Sequence, residues 1–252
     1  MIPDSKVFYK LTDKDGRTKA AYTNALQWGV GISHAATGKA GQPLCSDGYI
    51  HCYDHPLVGV LRNCQDGRYG PGARMWECWG EGEFLAEDLK CGFRRLTILR
   101  EIPLPVVTPQ QAVRWGILCS LEVYHEKSYV RWATWWLDGT ERSADVSNIV
   151  RNNAYIISTY GDCSTTTSAY AAYAAADAAY AAADAAYTVA DAAAVACAAY
   201  VADAAASAAY AAAAAAYAAY AAASSVFHAA KCAIDFGALA EQAVAEETCD
   251  AL

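Results

Sequence analysis

Residues 169–223 read AYAAYAAADAAYAAADAAYTVADAAAVACAAYVADAAASAAYAAAAAAYAAYAAA, and 37 of these 55 residues are alanine. Alanine has the highest intrinsic helix propensity, so local energetics alone predict that this tract is helical. Its small side chains let helix backbones approach closely. The tract therefore predicts helices that pack against close partners, within the chain or in a second copy.

Tyrosines and aspartates recur in the alanine tract at a spacing of seven residues. Asp177, Asp184 and Asp191 each follow a tyrosine by four positions, which places each pair one turn apart on nearly the same helix face. A repeat of seven indicates a left-handed supercoil against a partner helix. The first repeat frame ends near Thr188, and a second frame begins later. The residues predicted to bind a partner or a second copy are Tyr173, Asp177, Tyr180, Asp184, Tyr187, Asp191, Tyr210 and Tyr217.

The sequence predicts two domains, a small α+β domain over residues 1–107 and a helical domain over 108–252. The fold class predicted is thus an α+β N-terminal domain followed by an all-α, alanine-rich helical bundle or coiled coil. Within 165–245, two arrangements fit the pattern: helical hairpins packed into one bundle, or one long helix that pairs between chains. Both require oligomeric or intramolecular helix contacts.

Charge divides the chain in the same way. The whole chain carries a formal charge of −8, and residues 152–252 hold one lysine and ten acidic residues. An acidic surface repels phosphate backbones, so nucleic-acid binding by this half is not expected. A basic protein partner suits it better.

The first ten residues, MIPDSKVFYK, lack the apolar run of a signal peptide. Four aspartates within the alanine tract make a membrane span very costly, so no membrane association is expected. Ten cysteines without an export signal are expected to be reduced thiols. The sequence therefore predicts a cytoplasmic protein. It shows no phosphate-binding loop, and we expect no cofactor.

In the N-terminal half, strands are predicted over 7–11, 74–80 and 96–102, a turn over 13–16, and a loop over 29–48. The segment 81–93 is expected to form a hairpin or a loop excursion between two of these strands. A short helix is predicted to begin at Pro56, with Asp54 as its N-cap.

The C-terminal half changes to a helical period. Thr108 is a suitable N-cap with Pro109 at the first helical position. Helices are predicted over 110–125, 127–138 and from Ser143, with a last helix over 238–249. The cluster of Trp132, Trp135 and Trp136 is interpreted mainly as core.

The richest polar cluster lies at residues 45–55, CSDGYIHCYDH. One hypothesis is a ligand pocket around His51, Tyr53 and Arg74. A weaker one is a zinc site of Cys45, His51, Cys52 and His55, which are suitable ligand types at an irregular spacing. The third interpretation is structural: His51 hydrogen-bonds in the core and Asp54 caps the next helix. No residue stands out as catalytic.

Two segments suggest relatives. The run LCSDGYIHCYDHPL at 44–57, with RMWECWGEGE at 74–83 and LTILREI at 96–102, resembles an uncharacterised domain of phage and bacterial proteins. RWATWWLDGTERS at 131–143 and the alanine tract resemble alanine-rich helical proteins of phages and toxin-immunity families. The chain departs from the immunity pattern by having Tyr and Asp where those proteins often carry Arg. The resemblance implies a phage-encoded accessory protein acting in the host cytoplasm.

The sequence therefore favours a non-catalytic interaction protein that self-associates or binds, and thereby inhibits, a host protein. One alternative is a nucleotide- or small-molecule-binding protein, or an enzyme, with a pocket around His51. Another is a structural assembly protein. The sequence does not decide whether the protein is an enzyme, and it favours a non-catalytic role.

Overall fold

A computed structural model of the chain describes residues 6–18, 25–63, 67, 69–87, 89–122, 124–160, 182–184, 187 and 234–245. The chain divides into two compact units, residues 1–106 and residues 107–252.

The N-terminal unit is built on an antiparallel sheet with one short helix. Its strands and helix are β1 (Phe8–Thr12), β2 (Arg17–Thr18), β3 (Leu26–Gln27), β4 (Ser33–Ala35), β5 (Ile50–Cys52), α1 (Pro56–Arg62), β6 (Arg74–Glu87) and β7 (Lys90–Ile102). The main sheet has the order β1-β6-β7-β4, and β5 also pairs with β7. β2 and β3 form a separate two-stranded sheet.

The main sheet closes on itself. Phe8 pairs with Cys78 of β6, and Ile50 of β5 pairs with Phe93 of β7. Tyr53, directly after β5, then forms an antiparallel bridge with Tyr9 of β1. The pairings β1–β6, β6–β7, β7–β5 and β5–β1 thus make a closed circuit, which we call the strand ring.

Curvature of the long β6–β7 hairpin makes this closure possible. The register shifts between Glu77 and Cys78 and again between Glu81 and Phe84, and such bulges bend a strand and increase its twist. Gly82 adopts a positive φ of 81°, which favours glycine. The WGEGE segment is therefore a bend within a strand, and the strands extend well past the predicted ends at residues 80 and 96.

Side chains from all four strands of the strand ring meet in one apolar core. Phe8 packs edge-on against Phe93, with ring centroids 4.8 Å apart. The indole N–H of Trp76 donates to the Thr12 hydroxyl at 2.9 Å, so this buried polar group is satisfied. The core cluster comprises Phe8, Trp28, Ile50, Cys52, Trp76, Cys78, Cys91, Phe93, Leu96 and Ile98.

Two local predictions in this unit had different outcomes. The turn after β1 is confirmed: the Asp13 carboxylate accepts backbone N–H bonds from Asp15 and Arg17, and Gly16 has φ 75°. The predicted cap of α1 is wrong. The helix begins at Pro56 with His55 as N-cap and no capping bond from its side chain.

The C-terminal unit contains the helices α2 (Pro109–Leu121), α3 (Lys127–Leu137), α4 (Ala144–Tyr160) and α5 (Phe236–Ala245). The predicted start of α2 is confirmed. Thr108 accepts from the Gln111 N–H, Gln111 reaches back to the Thr108 N–H, and Pro109 occupies the first turn. The Trp115 indole donates to the Phe236 carbonyl at 3.2 Å and so joins α2 to α5.

The tryptophans of α3 do not share one environment. Trp132 and Trp136 are each 2% exposed, whereas Trp135 is 42% exposed. The carbonyl of Trp136, at the end of α3, accepts a hydrogen bond of 2.9 Å from Arg142. A cation at this position complements the negative end of the helix dipole.

The fold class predicted from the sequence is wrong. The core of the structure is the antiparallel sheet of β1, β6, β7, β4 and β5, not an alanine-rich bundle or coiled coil. Alanine buries too little apolar surface to organise a core, whereas large side chains bury several times more. Accordingly, the large buried side chains described in the C-terminal unit, Trp115, Tyr129, Trp132 and Trp136, lie outside the alanine tract.

Within the described ranges, no helix is long and apolar enough to cross a membrane.

Candidate functional site

The short strand β5 and the residue after it present two of the residues that the sequence singled out. Side chains alternate along a strand, so Ile50 and Cys52 point into the core while His51 and Tyr53 share the other side. His51 pairs with Gly92 of β7. An added Cβ at Gly92 would lie 2.7 Å from Leu44, so glycine permits this close approach.

A cavity of about 380 Å³ opens beside this segment, a volume in the range of small-molecule sites. Its apolar wall includes Leu11, Leu26 and Ile50. The polar and aromatic residues among those described that line it are Lys10, Thr18, Thr37, Ser46, Asp47, Tyr49, His51, Tyr53, Tyr69 and Lys90. The site therefore combines apolar surface with several groups able to form directed bonds.

Lys10 brings a charged group to the cavity from the middle of β1. Its side chain is only 9% exposed. The ammonium donates to the His51 carbonyl oxygen at 2.5 Å and lies 5.2 Å from the centre of the Trp28 ring. Carbonyl dipoles and aromatic faces both stabilise a cation. These contacts fix the position of the ammonium between the His51 carbonyl and the Trp28 ring.

The imidazole of His51 is also held in place. Its Nε2 bonds to the backbone carbonyl of Leu44. Because a carbonyl oxygen only accepts hydrogen bonds, Nε2 carries the hydrogen of this bond. The contact fixes the ring orientation at the cavity wall and ties β5 to the preceding loop.

The loop over residues 38–49 forms another wall and is fixed by β7. The Arg94 guanidinium donates to the carbonyl of Gly38 at 2.7 Å and to that of Gly48. The Tyr49 hydroxyl accepts from the Gly41 N–H at 3.2 Å. A Cβ at Gly38 would lie 2.0 Å from the Asp47 carboxylate, so the loop requires glycine there.

Asn63 anchors Tyr69, another residue that lines the cavity. Its side-chain amide donates to the Tyr69 carbonyl at 2.9 Å and accepts from the Tyr69 N–H at 3.0 Å. Tyr53 packs close to α1, since a Cβ at Gly59 would lie 2.9 Å from the Tyr53 ring. The two tyrosines are thus positioned by separate elements around one cavity.

Arg74, the third residue predicted for this pocket, is not among those lining the cavity. Its Nε donates to the Glu101 carboxylate at 2.8 Å, and its guanidinium lies 4.3 Å from the centre of the Trp76 ring. The hydrogen bond to Glu101 raises the pKa of Arg74 and lowers that of Glu101. The structure therefore brings His51 and Tyr53 together and places Arg74 elsewhere.

Lys10 was missed by sequence reasoning, although a signal was present. Phe8, Lys10 and Thr12 share one face of β1, and Phe8 lies in the core. A lysine between two inward-facing positions of a strand is unusual, because a buried charge is costly without stabilising partners. Such a position is itself an indication of a site.

The four candidate zinc ligands do not converge. Cys52 is buried in the core, Cys45 is exposed, and the ring of His51 bonds to Leu44. Over the residues that the structure describes, no group of three or more His, Cys, Asp or Glu side chains is arranged to hold a metal ion. His55 occupies the N-cap of α1 instead.

Cys52 lies instead against a second thiol. Its sulfur is 3.6 Å from that of Cys91, its partner in the β5–β7 register. Burial raises the pKa of Cys52 well above the ordinary thiol value. The hydrogen bond with Cys52, followed by burial, does the same for Cys91. Both are protonated, unreactive thiols at neutral pH.

Of the residues predicted to bind a partner, Asp184 and Tyr187 are described. Arg151 of α4 donates to the Asp184 carboxylate at 2.9 Å, and its guanidinium lies 4.8 Å from the centre of the Tyr187 ring. This part of the repeat therefore packs within the C-terminal unit. Those that lie outside the described residues are Tyr173, Asp177, Tyr180, Asp191, Tyr210 and Tyr217.

Comparison with known proteins adds no assignment to this geometry, and the predicted resemblance to phage proteins stays a prediction. No protein-family model, no curated protein and no solved structure matches the chain.

Proposed function

We propose that the N-terminal unit is a small-molecule-binding domain whose site is the cavity beside β5. The observation that carries this proposal is that His51, Tyr53 and Lys10 line one recess of about 380 Å³. Binding sites for small molecules are typically recesses of this size with an apolar lining and a few well-placed polar groups.

The fixed positions of the lining groups support the proposal. Arg94 holds the 38–49 loop, Asn63 holds Tyr69, and the Leu44 carbonyl holds His51. A site whose side chains are already in place loses little conformational entropy when a ligand binds. The cavity therefore needs no large rearrangement to accept one.

We place this binding function in the cytoplasm, in keeping with the ten cysteines of the sequence as reduced thiols. The interaction functions predicted for the alanine tract stay predictions, because most of the residues that carry them lie outside the described part of the chain.

A fragment library screened against the full chain by thermal shift, with ligand-observed NMR, tests the proposal. We expect compounds that raise the melting temperature of the wild type and fail to do so with His51→Ala. His34→Ala is the matched control. The His34 ring also bonds to a backbone carbonyl, that of Gln27 at 2.8 Å, but His34 does not line the cavity.

Binding that persists unchanged in His51→Ala and in Tyr53→Leu places the ligand elsewhere and contradicts the proposal. The proposal is also contradicted if no compound in the screen depends on His51 or Tyr53 for binding.

A further inference from the structure

We infer that the cavity takes a small organic anion, with a carboxylate or phosphate head and an apolar body. The inference rests on the proposed binding function and specifies the class of ligand. The evidence for this ligand class is that two lysines on separate strands line the cavity and that one of them is nearly buried.

The head group is assigned by Lys10. Lys10 lines the cavity and is only 9% exposed, and its ammonium is held against the His51 carbonyl oxygen. In such a setting water screens the charge weakly, so a bound anion interacts with it more strongly than with a surface lysine. Charge-assisted hydrogen bonds to an ammonium are also stronger than neutral ones.

The described lining residues include a second lysine. Lys90, the first residue of β7, brings a second ammonium to the cavity. The carboxylate among the described lining residues belongs to Asp47, which lies exposed on the 38–49 loop. Solvent screens an exposed carboxylate far more than a buried ammonium.

The apolar body is assigned by the remaining wall. Leu11, Leu26 and Ile50 line the same recess as the lysines, with Ala35 and Ala36 beside them. A bare inorganic anion leaves this surface wet, whereas an aromatic or aliphatic body covers it and removes apolar area from water. The site therefore suits an amphiphilic anion better than free phosphate.

Isothermal titration of the full chain with matched probes tests the inference. The probes are 2-naphthoate, 2-naphthyl phosphate and the neutral 2-naphthalenemethanol, with inorganic phosphate as a fourth. We expect at least one of the naphthyl anions to bind about tenfold more tightly than the alcohol, the effect of one charge-assisted hydrogen bond. Whether naphthoate or naphthyl phosphate binds more tightly distinguishes a carboxylate ligand from a phosphate ligand.

Lys10→Met is expected to reduce the affinity for the anion to that for the alcohol and to leave the alcohol unchanged. Lys14→Met is the matched control, since Lys14 follows β1 with its side chain 72% exposed and does not line the cavity. If circular dichroism shows that Lys10→Met is unfolded, Lys90→Gln provides the test. We then expect a several-fold loss of affinity for the anion and none for the alcohol.

Equal affinity for anion and alcohol overturns the inference and leaves the proposed function intact. The same holds if the naphthyl probes fail while the fragment screen yields neutral ligands that depend on His51. If no compound of any charge binds, both the inference and the proposed function are overturned.

Discussion

Tyr9 and Tyr53 donate their backbone N–H groups to each other's carbonyl oxygens, both at 2.8 Å, and this reciprocal pair closes the strand ring. Tyr53 also lines the cavity. The closure of the sheet and the position of the candidate site therefore depend on the same backbone contact.

Tyr9→Pro tests this closure. Proline has no backbone N–H and removes the hydrogen bond from residue 9 to the Tyr53 carbonyl. We expect the unfolding free energy of the N-terminal unit to fall by at least about 2 kcal/mol, measured by urea denaturation. Tyr9→Phe keeps the backbone hydrogen bond, so its unfolding free energy should fall much less. If both variants lose the same unfolding free energy, the Tyr9 side chain stabilises the unit and the backbone pair does not.

Gly80→Ala tests the bend of the long hairpin. A Cβ at residue 80 would lie 2.2 Å from the Phe93 ring, which is buried in the core. We expect overpacking to cost about 1–3 kcal/mol in urea denaturation. Gly70→Ala is the control, because nothing lies within 4 Å of the added Cβ there. If Gly80→Ala leaves the unfolding free energy unchanged, the Phe93 ring can move aside without cost.

A double-mutant cycle tests the contact of Arg151 with the alanine tract. Arg151→Met, Asp184→Ala and the double variant should give a coupling of about 0.5–1 kcal/mol, as for a partly exposed ion pair. The two side chains are 25% and 36% exposed. Tyr187→Leu measures the cation–π contribution separately. Additive effects of Arg151→Met and Asp184→Ala argue against a stabilising pair.

Glu126→Gln should weaken α3 in a pH-dependent way. Glu126 is the N-cap, and its carboxylate accepts from the Ser128 hydroxyl and from the N–H groups of Ser128 and Tyr129. These bonds, with that from the Ser128 hydroxyl the largest, lower the pKa of Glu126 below the ordinary value of 4.5. A carboxyl whose pKa is lower in the folded state stabilises fully above the unfolded value, and the contribution is lost as pH falls through the folded value.

Hydrogen exchange of the Ser128 and Tyr129 amides measures this effect. At pH 7 we expect faster exchange in Glu126→Gln, corresponding to about 1 kcal/mol of local stability. The difference should shrink as pH falls below 4.5 and through the lowered pKa of the folded carboxyl, because the wild-type group then becomes neutral as well. The exposed Glu83→Gln should have no effect at either pH. A difference that is constant with pH shows that charge plays no part in the cap.

Thiol labelling checks the core assignment. Cys45 is exposed, whereas Cys52, Cys78, Cys91 and Cys119 are buried. Burial raises the pKa of Cys119 as it does that of Cys52. Of these five cysteines, iodoacetamide should therefore modify Cys45 first under native conditions, and the four buried thiols only after unfolding in guanidinium, as read by peptide mass spectrometry. Rapid native labelling of Cys52 or Cys91 contradicts the closed core.

Features with a local cause could be predicted from the sequence. The Thr108 cap and the Asp13 turn follow from side chains that bond to their own neighbours. His51 and Tyr53 were identified because a dense polar run in a strand is conspicuous. Arg74 was placed in the pocket because its partner Glu101 lies far away in the sequence and nothing local marks that pair.

The fold class was mispredicted because the alanine tract dominates the composition, while large residues elsewhere build the described core. The ends of β6 and β7 were missed for a related reason. The glycine- and glutamate-rich segment after Trp79 reads as a loop. It is a strand because it pairs with β7, with Phe84 opposite Phe93, and this pairing forms only in three dimensions.

The closed strand ring also has a consequence for synthesis. β1 is made first, yet its partners are β6 and Tyr53, and β5 pairs with β7, the last strand of the unit. On the ribosome the ring therefore cannot close until residues up to about 102 have emerged. Non-local pairings of this kind fold slowly and leave strand edges open to association in the interval. The nascent N-terminal unit is therefore expected to be prone to association until β7 has emerged.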